Sequence, residues 1–472
     1  MRVAFFNPQG NFDPEDSYLT MHPDFGGQLI YVKEVATRLA KMGIEVDIIT
    51  RKIVDKEWPE FSKEIDYYPG IEGVRIVRIE FGGKRFLNKE ELWPYLYEFS
   101  ENIIKFYEKE GAFPEYVTTH YGDGGIAGAM FSAKTEIPFS FTAHSLGAQK
   151  MDRLMEEGMS FEEIDRKYHF TIRINAERVA MKYSACNITN SKLERYSQYG
   201  HPLYKGWVDP YDDEKFKVIP PGVNFDIFHH EDDPYDRELE KRLSPILSKN
   251  DLPFIVASSR IDPKKNHIAL LRAYASSREL QKLSNLAIVT RGIDDPYKEL
   301  SRLDKVVQGV LTELIDVVDK YGLREKVHFV NIEGQRELGA FYRILAKRGS
   351  IFMLPTIHEP FGLAVIEAMA SGLPVVATKY GGPSEILFED NKKYGILIDV
   401  SNIEDVKNGL LKLLTDKNLY STFREEGIRR AHEKYSWEHV AREYLDIIKH
   451  KRNWTKPVIP SYFLTGKGGL KL

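Results

Sequence analysis

The chain has 472 residues, 42% of them apolar and 29% charged, a globular composition too long for one ordinary core, so two domains of roughly 200 residues each are expected. Its formal net charge of −4 argues against a general binder of nucleic acid or anionic membranes. Cys186 is the single cysteine, which excludes an intrachain disulfide and a thiolate metal cluster.

The first ten residues, MRVAFFNPQG, lack the long apolar region and small-residue cleavage site of a secretion signal. No apolar stretch approaches the ~18 residues of a membrane-spanning helix, and a cytoplasmic location is expected. From the start of the chain, short apolar, β-branched runs recur at Arg2–Asn7, Ile44–Thr50, Val74–Ile79, Tyr116–His120, Phe139–His144 and Cys186–Thr189. They resume at Phe254–Ser258, Leu286–Thr290, Val327–Val330, Ile351–Pro355, Val375–Thr378 and Gly395–Ile398. Near-continuous hydrophobicity is the pattern of strands buried on both faces. Amphipathic helical segments separate them. In Gln28–Lys41, for example, Leu29, Val32, Val35, Ala36 and Leu39 share one face. Alternation of this kind implies an α/β fold of two doubly wound, Rossmann-like domains with parallel sheets and right-handed crossovers. The loop-rich stretch Tyr199–Lys217, followed by Pro220-Pro221-Gly222, reads as the linker. The domains are then 1–220 and 221–444. Ligands of such sheets bind beyond the carboxyl ends of the strands, so two facing sheets would share a central cleft.

Four segments follow predicted strands or open a helix and could carry chemistry. The first is Glu359-Pro360-Phe361-Gly362-Leu363-Ala364-Val365-Ile366-Glu367. Its loop would open a helix whose first amides could hold a sugar or phosphate oxygen. The two glutamates, if both helical, would lie on roughly one face. Glu359 suits the hydroxyls of a hexose and Glu367 those of a ribose; a loop acid beside a helix-start acid is the plainer alternative. The second is Ser258–Asn266, where Arg260 offers a planar fork and Lys265 a compact charge for a diphosphate. Arg291, after the next strand, is a further candidate cation, and a basic surface turn is the alternative. The third, Gly26-Gly27-Gln28, is a glycine entry to a helix. The fourth, Thr142–Lys150, places His144 at a strand end, where a ligand histidine and a core histidine are both open readings.

Other patterns carry less. Gly122-Asp123-Gly124-Gly125-Ile126-Ala127 fits the dinucleotide glycine pattern but does not follow the first strand, and no acid stands about 20 positions later. There is no Walker A sequence, no second histidine after His358-Glu359, and no Asp-x-Asp pair. A nicotinamide or metal-centred site loses support accordingly.

Together these residues resemble the retaining family-4 glycosyltransferases of the GT-B fold, and within them the sucrose-phosphate-synthase-like branch. The pieces that carry the branch resemblance are Phe6–Gly10, the run from His22 to Gln28, Thr119–Gly125 and His144–Gly147. The resemblance implies a soluble hexosyltransferase moving a hexose from a nucleoside-diphosphate sugar to a phosphorylated, sugar-like acceptor. It further implies a C-terminal segment, 445–472, that returns to the first domain. By motif, Arg260 and Lys265 become the diphosphate clamp. Glu359 becomes the hexose ligand, with Phe361, Gly362 and Leu363 giving backbone contacts, and Glu367 the ribose ligand. His144 would touch the transferred hexose. Gly27 would sit at the donor phosphate, with Gln28 beside the acceptor. Lys89, Tyr121, Ser145, Lys150 and Arg173 would bind the acceptor.

No resident cofactor or metal is implied; a divalent cation such as magnesium could stimulate. Neither nucleic acid nor membrane is an implied partner, and the oligomeric state stays open. UDP-glucose and fructose 6-phosphate lead as substrates. The helix Phe170–Arg178, however, keeps only Arg173 of the paired arginines usual in such synthases. That leaves open a mannosyltransferase of compatible-solute synthesis, acting from GDP-mannose on glucosyl-3-phosphoglycerate. A non-catalytic nucleotide-sugar sensor is the reading from another class.

Overall fold

A computed structural model describes residues 1–17, 25–248, 251–450 and 454–472. The chain divides into two compact units, Met1–Pro221 with Trp437–Leu472, and Gly222–Ser436. The division falls one residue from the expected 220/221, but the chain re-enters the first unit at Trp437 rather than at 445.

Unit 1 is built on β1 (Arg2–Phe6), β2 (Glu45–Arg51), β3 (Ile65–Asp66), β4 (Val74–Ile79), β5 (Tyr116–His120), β6 (Phe139–Thr142), β7 (Cys186–Thr189) and β8 (Phe216–Val218). They form one sheet in the order β3-β4-β2-β1-β5-β6-β7-β8, parallel throughout except for β3 against β4. The strand order reverses between β1 and β5, the kind of switch point beyond which ligands of such sheets bind. The Gly27–Lys41 helix covers one face through Leu29, Val32, Val35 and Leu39, all fully buried. The Trp437–His450 helix joins the same core through Val440, Ala441, Tyr444 and Ile447, and the Tyr444 hydroxyl lies 2.9 Å from Thr142 Oγ1.

The glycine run that imitates a dinucleotide motif has another purpose. It lies in the helix Tyr121–Thr135, and a Cβ at Gly124 would stand 2.7 Å from the Phe6 carbonyl oxygen. One at Gly128 would stand 2.3 Å from Thr119 Cγ2. These residues are glycine so that the helix can press against β1 and β5.

Of the expected linker, Pro220-Pro221-Gly222 spans the division between the units, but Tyr199–Lys217 does not. It folds into unit 1, passing through a short turn at Pro202–Tyr204 and ending in β8, which pairs in parallel with β7. Tyr199, Tyr204 and Phe216 are buried there. The prolines and glycines mark a compact excursion, and three buried aromatics outweigh their signal.

Unit 2 contains β9 (Phe254–Ala257), β10 (Asn285–Thr290), β11 (Val327–Asn331), β12 (Ile351–Leu354), β13 (Val375–Thr378), the hairpin β14 (Phe388–Glu389) and β15 (Lys392–Lys393), and β16 (Ile396–Ile398). The main sheet runs β11-β10-β9-β12-β13-β16, parallel at every pair. Its switch point lies between β9 and β12. All twelve strands expected from the sequence form. Those missed, β3, β8, β14 and β15, have at most three residues each, too short for periodicity to register. Among the described residues no helix is long and apolar enough to cross a membrane.

Candidate functional site

In unit 2 the candidate donor residues gather at the carboxyl ends of β9, β10 and β12. After β9 the Asp262 carboxylate accepts the Lys264 amide at 2.8 Å, fixing a tight turn that presents Lys265. Asn266, with φ 54°, takes the left-handed conformation that Asn tolerates better than most residues. The Ile357 amide donates to the Lys264 carbonyl at 3.1 Å, tying the loop after β12 to the turn after β9. Across this tie the Lys265 ammonium reaches Glu359 Oε2 at 2.8 Å. Arg260 is exposed and makes no ion pair with a described residue.

The Glu359 backbone is clamped as firmly as its side chain. Its amide donates to Tyr380 O at 3.1 Å, and its carbonyl accepts from the Gly382 amide at 2.8 Å. A Cβ at Gly381 would lie 2.0 Å from Glu359 O, and one at Gly382 would lie 1.9 Å from Phe361 O. Gly362 then turns into the helix Leu363–Ala370 with φ 104°, a conformation closed to side-chain-bearing residues. Glu359 is therefore a loop residue, and only Glu367 is helical; the shared helical face expected of the pair does not form. The helix opens without a side-chain cap, which leaves its first amides available to an oxygen ligand.

Glu367 is half-buried on that helix. Desolvation pushes its carboxyl pKa up to about 7, and the positive charge of the exposed Arg291 pulls the other way. Nearby, Ser259 Oγ and His267 Nε2 are 3.0 Å apart. Burial first, and then the charge of Lys265, hold the His267 imidazole down at about 4.

In unit 1 the ends of β5 and β6 carry a second group. His120 Nδ1 and His144 Nε2 are 2.8 Å apart. The rings of Tyr31 and Tyr121 lie 5.1 Å and 5.4 Å from that of His144. Burial drives the His144 pKa down to about 3 and holds His120 well below the usual range. Tyr121 and His144 both adopt left-handed backbone, with φ of 60° and 54°. For such residues this costs about 1–3 kcal/mol, a strain that clusters at functional positions.

Beyond β6 the basic candidates converge. Arg173 donates through Nη2 to the Ser145 carbonyl at 2.6 Å and through Nε to Glu177 at 2.9 Å. Glu177 is fully buried and also accepts from the Gly147 amide at 3.0 Å and from the Tyr204 hydroxyl. Burial opposes the Arg173 charge, but Glu177 more than offsets it, and the pKa rises. Lys150 is exposed as a residue, yet partial desolvation of its ammonium, then the charges of Arg173 and Lys89, lower its pKa. Lys89 sits in a short turn boxed by Asn88 and Glu91. Lys89, Lys150 and Arg173 thus form one positive region.

Gly27 and Gln28 open the Gly27–Lys41 helix. Gly27 is exposed, with no atom of a described residue within 4 Å of a notional Cβ, while Gln28 is buried. His22, Pro23 and Asp24, just before them, lie outside the described residues. Sequence reasoning missed Glu177, Tyr204 and His120. A signal existed for Glu177, which stands four residues after Arg173 on a helix, the spacing of an ion pair. For Tyr204 there was none. Among the described residues, no group of three or more His, Cys, Asp or Glu side chains could hold a metal ion.

Two families match the chain: "Sucrose synthase first GT-B domain" over residues 1–247 and "Glycosyl transferases group 1" over residues 240–430. A probable sucrose-phosphate synthase of Thermosipho melanesiensis is 50% identical over 98% of this chain and 99% of its own length. The sucrose-phosphate synthase of Zea mays is 33% identical over 94% of this chain, which spans only 46% of that longer protein. Among solved structures, a sucrose-phosphate synthase from Thermosynechococcus elongatus superposes with a TM-score of 0.65 at 22% identity, covering 95% of this chain and 98% of that one. HepE of Anabaena, in complex with UDP and glucose, does so at 0.58 and 16% identity, covering 95% and 100%. These two likenesses concern the fold, which is GT-B. With identity of one half sustained along almost its whole length, the chain is a hexosyltransferase and belongs to the sucrose-phosphate-synthase family of GT-B glycosyltransferases.

Proposed function

We propose that this protein transfers glucose, with retention of configuration, from UDP-glucose to fructose 6-phosphate. The observation that carries the acceptor half is the positive region of Lys89, Lys150 and Arg173, in which Lys150 feels both neighbours. Free fructose gives such a region nothing to neutralise. A sugar phosphate does, through charge-assisted hydrogen bonds. The donor half rests on the Lys265–Glu359 pair and on Glu367. On donor binding, the Lys265 ammonium and the Arg260 guanidinium stabilise the diphosphate, while Glu359 accepts from hexose hydroxyls and Glu367 from the ribose.

The acceptor hydroxyl attacks the anomeric carbon from the face the diphosphate leaves. Its proton passes to a β-phosphate oxygen, and the anomeric carbon–oxygen bond to phosphate breaks as the new bond forms. The protein supplies no nucleophile; it positions the reactants and stabilises the growing charge on the diphosphate. No resident metal or cofactor takes part, and a divalent cation such as magnesium acts at most as a stimulant. The reaction belongs in the cytoplasm, away from membranes and nucleic acid.

One observation favours a second acceptor. Two of the five Arg173 N–H donors are already engaged by Glu177 and Ser145, so only part of its fork remains for a phosphate. The test is product analysis by mass spectrometry after incubation of UDP-glucose or GDP-mannose with fructose 6-phosphate, fructose or glucosyl-3-phosphoglycerate. Sucrose phosphate from UDP-glucose alone is expected. A mannosylated phosphoglycerate would replace the substrates, and tight nucleotide binding without transfer from any pair would mean a sensor.

A further inference from the structure

His120 ends β5 and His144 lies two residues beyond β6, its parallel neighbour, and their facing nitrogens, Nδ1 and Nε2, are 2.8 Å apart. Burial holds both imidazoles in the neutral form through the ordinary pH range, His144 at about 3. Two neutral rings at this distance share a single hydrogen, so one nitrogen donates and the other accepts. Two arrangements are possible, and they present opposite chemistry at the outer edge of His144.

The surroundings separate them. His120 is 1% exposed, and its other nitrogen, Nε2, is buried with no hydrogen-bond partner among the described residues. If His120 Nδ1 accepted, the His120 proton would sit on Nε2, an N–H donor enclosed without an acceptor. Orphaned buried N–H groups are rarer in proteins than under-satisfied acceptors, because an enclosed donor forfeits the hydrogen bond it made to water. If His120 Nδ1 donates, only a bare lone pair is enclosed. The ring is otherwise held by stacking, with its centroid 5.6 Å from that of Phe5 and 5.1 Å from that of His144. His144 in turn is half-buried, its backbone held left-handed, and among the described residues its Nδ1 is neither hydrogen-bonded nor enclosed.

We infer that His120 is a positioning residue that donates from Nδ1 to His144 Nε2 and so fixes His144 as the Nδ1–H tautomer. His144 therefore offers a hydrogen-bond donor, not an acceptor, at its accessible edge. An isolated neutral histidine side chain prefers the opposite, Nε2–H, so the preference is imposed by His120. On the glucosyl-transfer reading, the group His144 addresses is an oxygen of the bound hexose acting as acceptor. The tautomer itself does not depend on that reading.

The test is long-range proton–nitrogen NMR on the unliganded protein labelled with nitrogen-15 histidine, with the His144 signals identified by their loss in His144→Gln. Wild type should show His144 protonated at Nδ1 and bare at Nε2. In His120→Phe, which keeps the stacked ring but removes both nitrogens, His144 should shift toward Nε2–H. His120→Asn, whose side-chain amide can donate from the place of Nδ1, should restore the wild-type pattern. Turnover should follow, falling at least tenfold in the Phe variant and recovering in the Asn variant, with little change in donor KM. An Nε2–H His144 in wild type, or an unchanged tautomer in His120→Phe, would overturn the inference. Should His120→Phe fail to fold, the wild-type spectrum still decides. The expected tautomer in a protein that transfers no hexose would leave the inference standing and sink the proposed function.

Discussion

Lys265 Nζ and Glu359 Oε2 stand 2.8 Å apart and join two loops that leave different strands of unit 2. Both side chains are partly exposed, at 23% and 16%, so the pair contributes at most about 1 kcal/mol to stability. Its worth lies in holding the ammonium and the carboxylate where a donor's diphosphate and hexose would meet them. Lys265→Ala should therefore lower turnover about a hundredfold, the usual effect of losing one charge-stabilising group, while the melting temperature changes by only a few degrees. Arg260→Ala, at an exposed position without an ion pair to a described residue, should show the same division. Steady-state kinetics beside thermal melts would check both, and near-normal turnover in either variant would remove that residue from the clamp.

Glu367 should make nucleotide binding release protons. With its pKa pushed up to about 7 by desolvation, it is largely protonated below neutrality. Ribose hydroxyls that donate to the carboxylate favour the charged form and lower that pKa. UDP titrated at pH 6.5 in buffers of different ionisation heat should show more proton release in wild type than in Glu367→Gln, where only the terminal phosphate, with a second pKa of about 6, gives up protons. Equal release in both would place the ribose elsewhere. For folding the sign is opposite. Between about 4.5 and 7 the native carboxyl keeps a proton that the unfolded one has lost, so this group's contribution to stability falls as pH rises.

His267 and His144 should dominate the acid limb against that trend. Their folded pKa values, about 4 and about 3, lie below the ordinary 6.5. Below pH 6.5 the unfolded chain takes up protons that the native one refuses. The stability these groups contribute is complete above 6.5 and is lost as pH falls toward 4 and 3. For fully buried His267 the shift corresponds to something on the order of 3 kcal/mol. Urea unfolding should show stability falling from pH 6.5 to 4.5 in wild type and falling less in His267→Gln. Identical slopes would show that His267 titrates normally.

Glu177 ties three segments of unit 1 together and should be intolerant of change. Removing one partner of a buried ion pair costs about 3–5 kcal/mol, and Glu177→Ala would strand the Tyr204 hydroxyl and the Gly147 amide as well. A fall of that size in urea stability is expected. Arg173→Lys keeps a charge but loses the fork. It should raise the KM for a phosphorylated acceptor more than tenfold and leave any activity toward unphosphorylated fructose unchanged. An equal effect on both acceptors would make Arg173 a scaffold for Glu177 only.

Chelation is expected to spare the reaction. In excess EDTA, product formation should fall no more than severalfold, and magnesium should restore the difference. Complete loss, reversed by a metal, would mean that a cation supplies charge that Arg260 and Lys265 do not.

Much of the fold was legible because each long strand is a near-continuous apolar run, and such runs survive any tertiary context. The donor loops were legible only in part. Gly362 marked the turn into a helix, which it makes at φ 104°, but Gly381 and Gly382, glycine because backbone passes close by, gave no signal, and the helical pairing of Glu359 with Glu367 was misjudged. What stayed hidden depended on contacts between distant segments. Tyr204 looked like a linker residue because its partner, Glu177, lies on another element. The His120–His144 pair became visible only when β5 and β6 were laid side by side. The turn chemistry of 199–217 was correctly seen as turns and wrongly assigned to a boundary, since composition cannot tell an excursion from a hinge.

The return of the chain at Trp437 sets an order of assembly. Unit 2 is continuous in sequence, Gly222–Ser436, and its last residue precedes the helix that completes the first core. A nascent chain on the ribosome therefore exposes Val3 and Phe5 of β1 and Leu29 of the first helix until Val440, Tyr444 and Ile447 are made. The first unit to begin synthesis is the last able to finish folding. Truncation before Trp437 should leave a soluble second unit attached to an aggregation-prone first one.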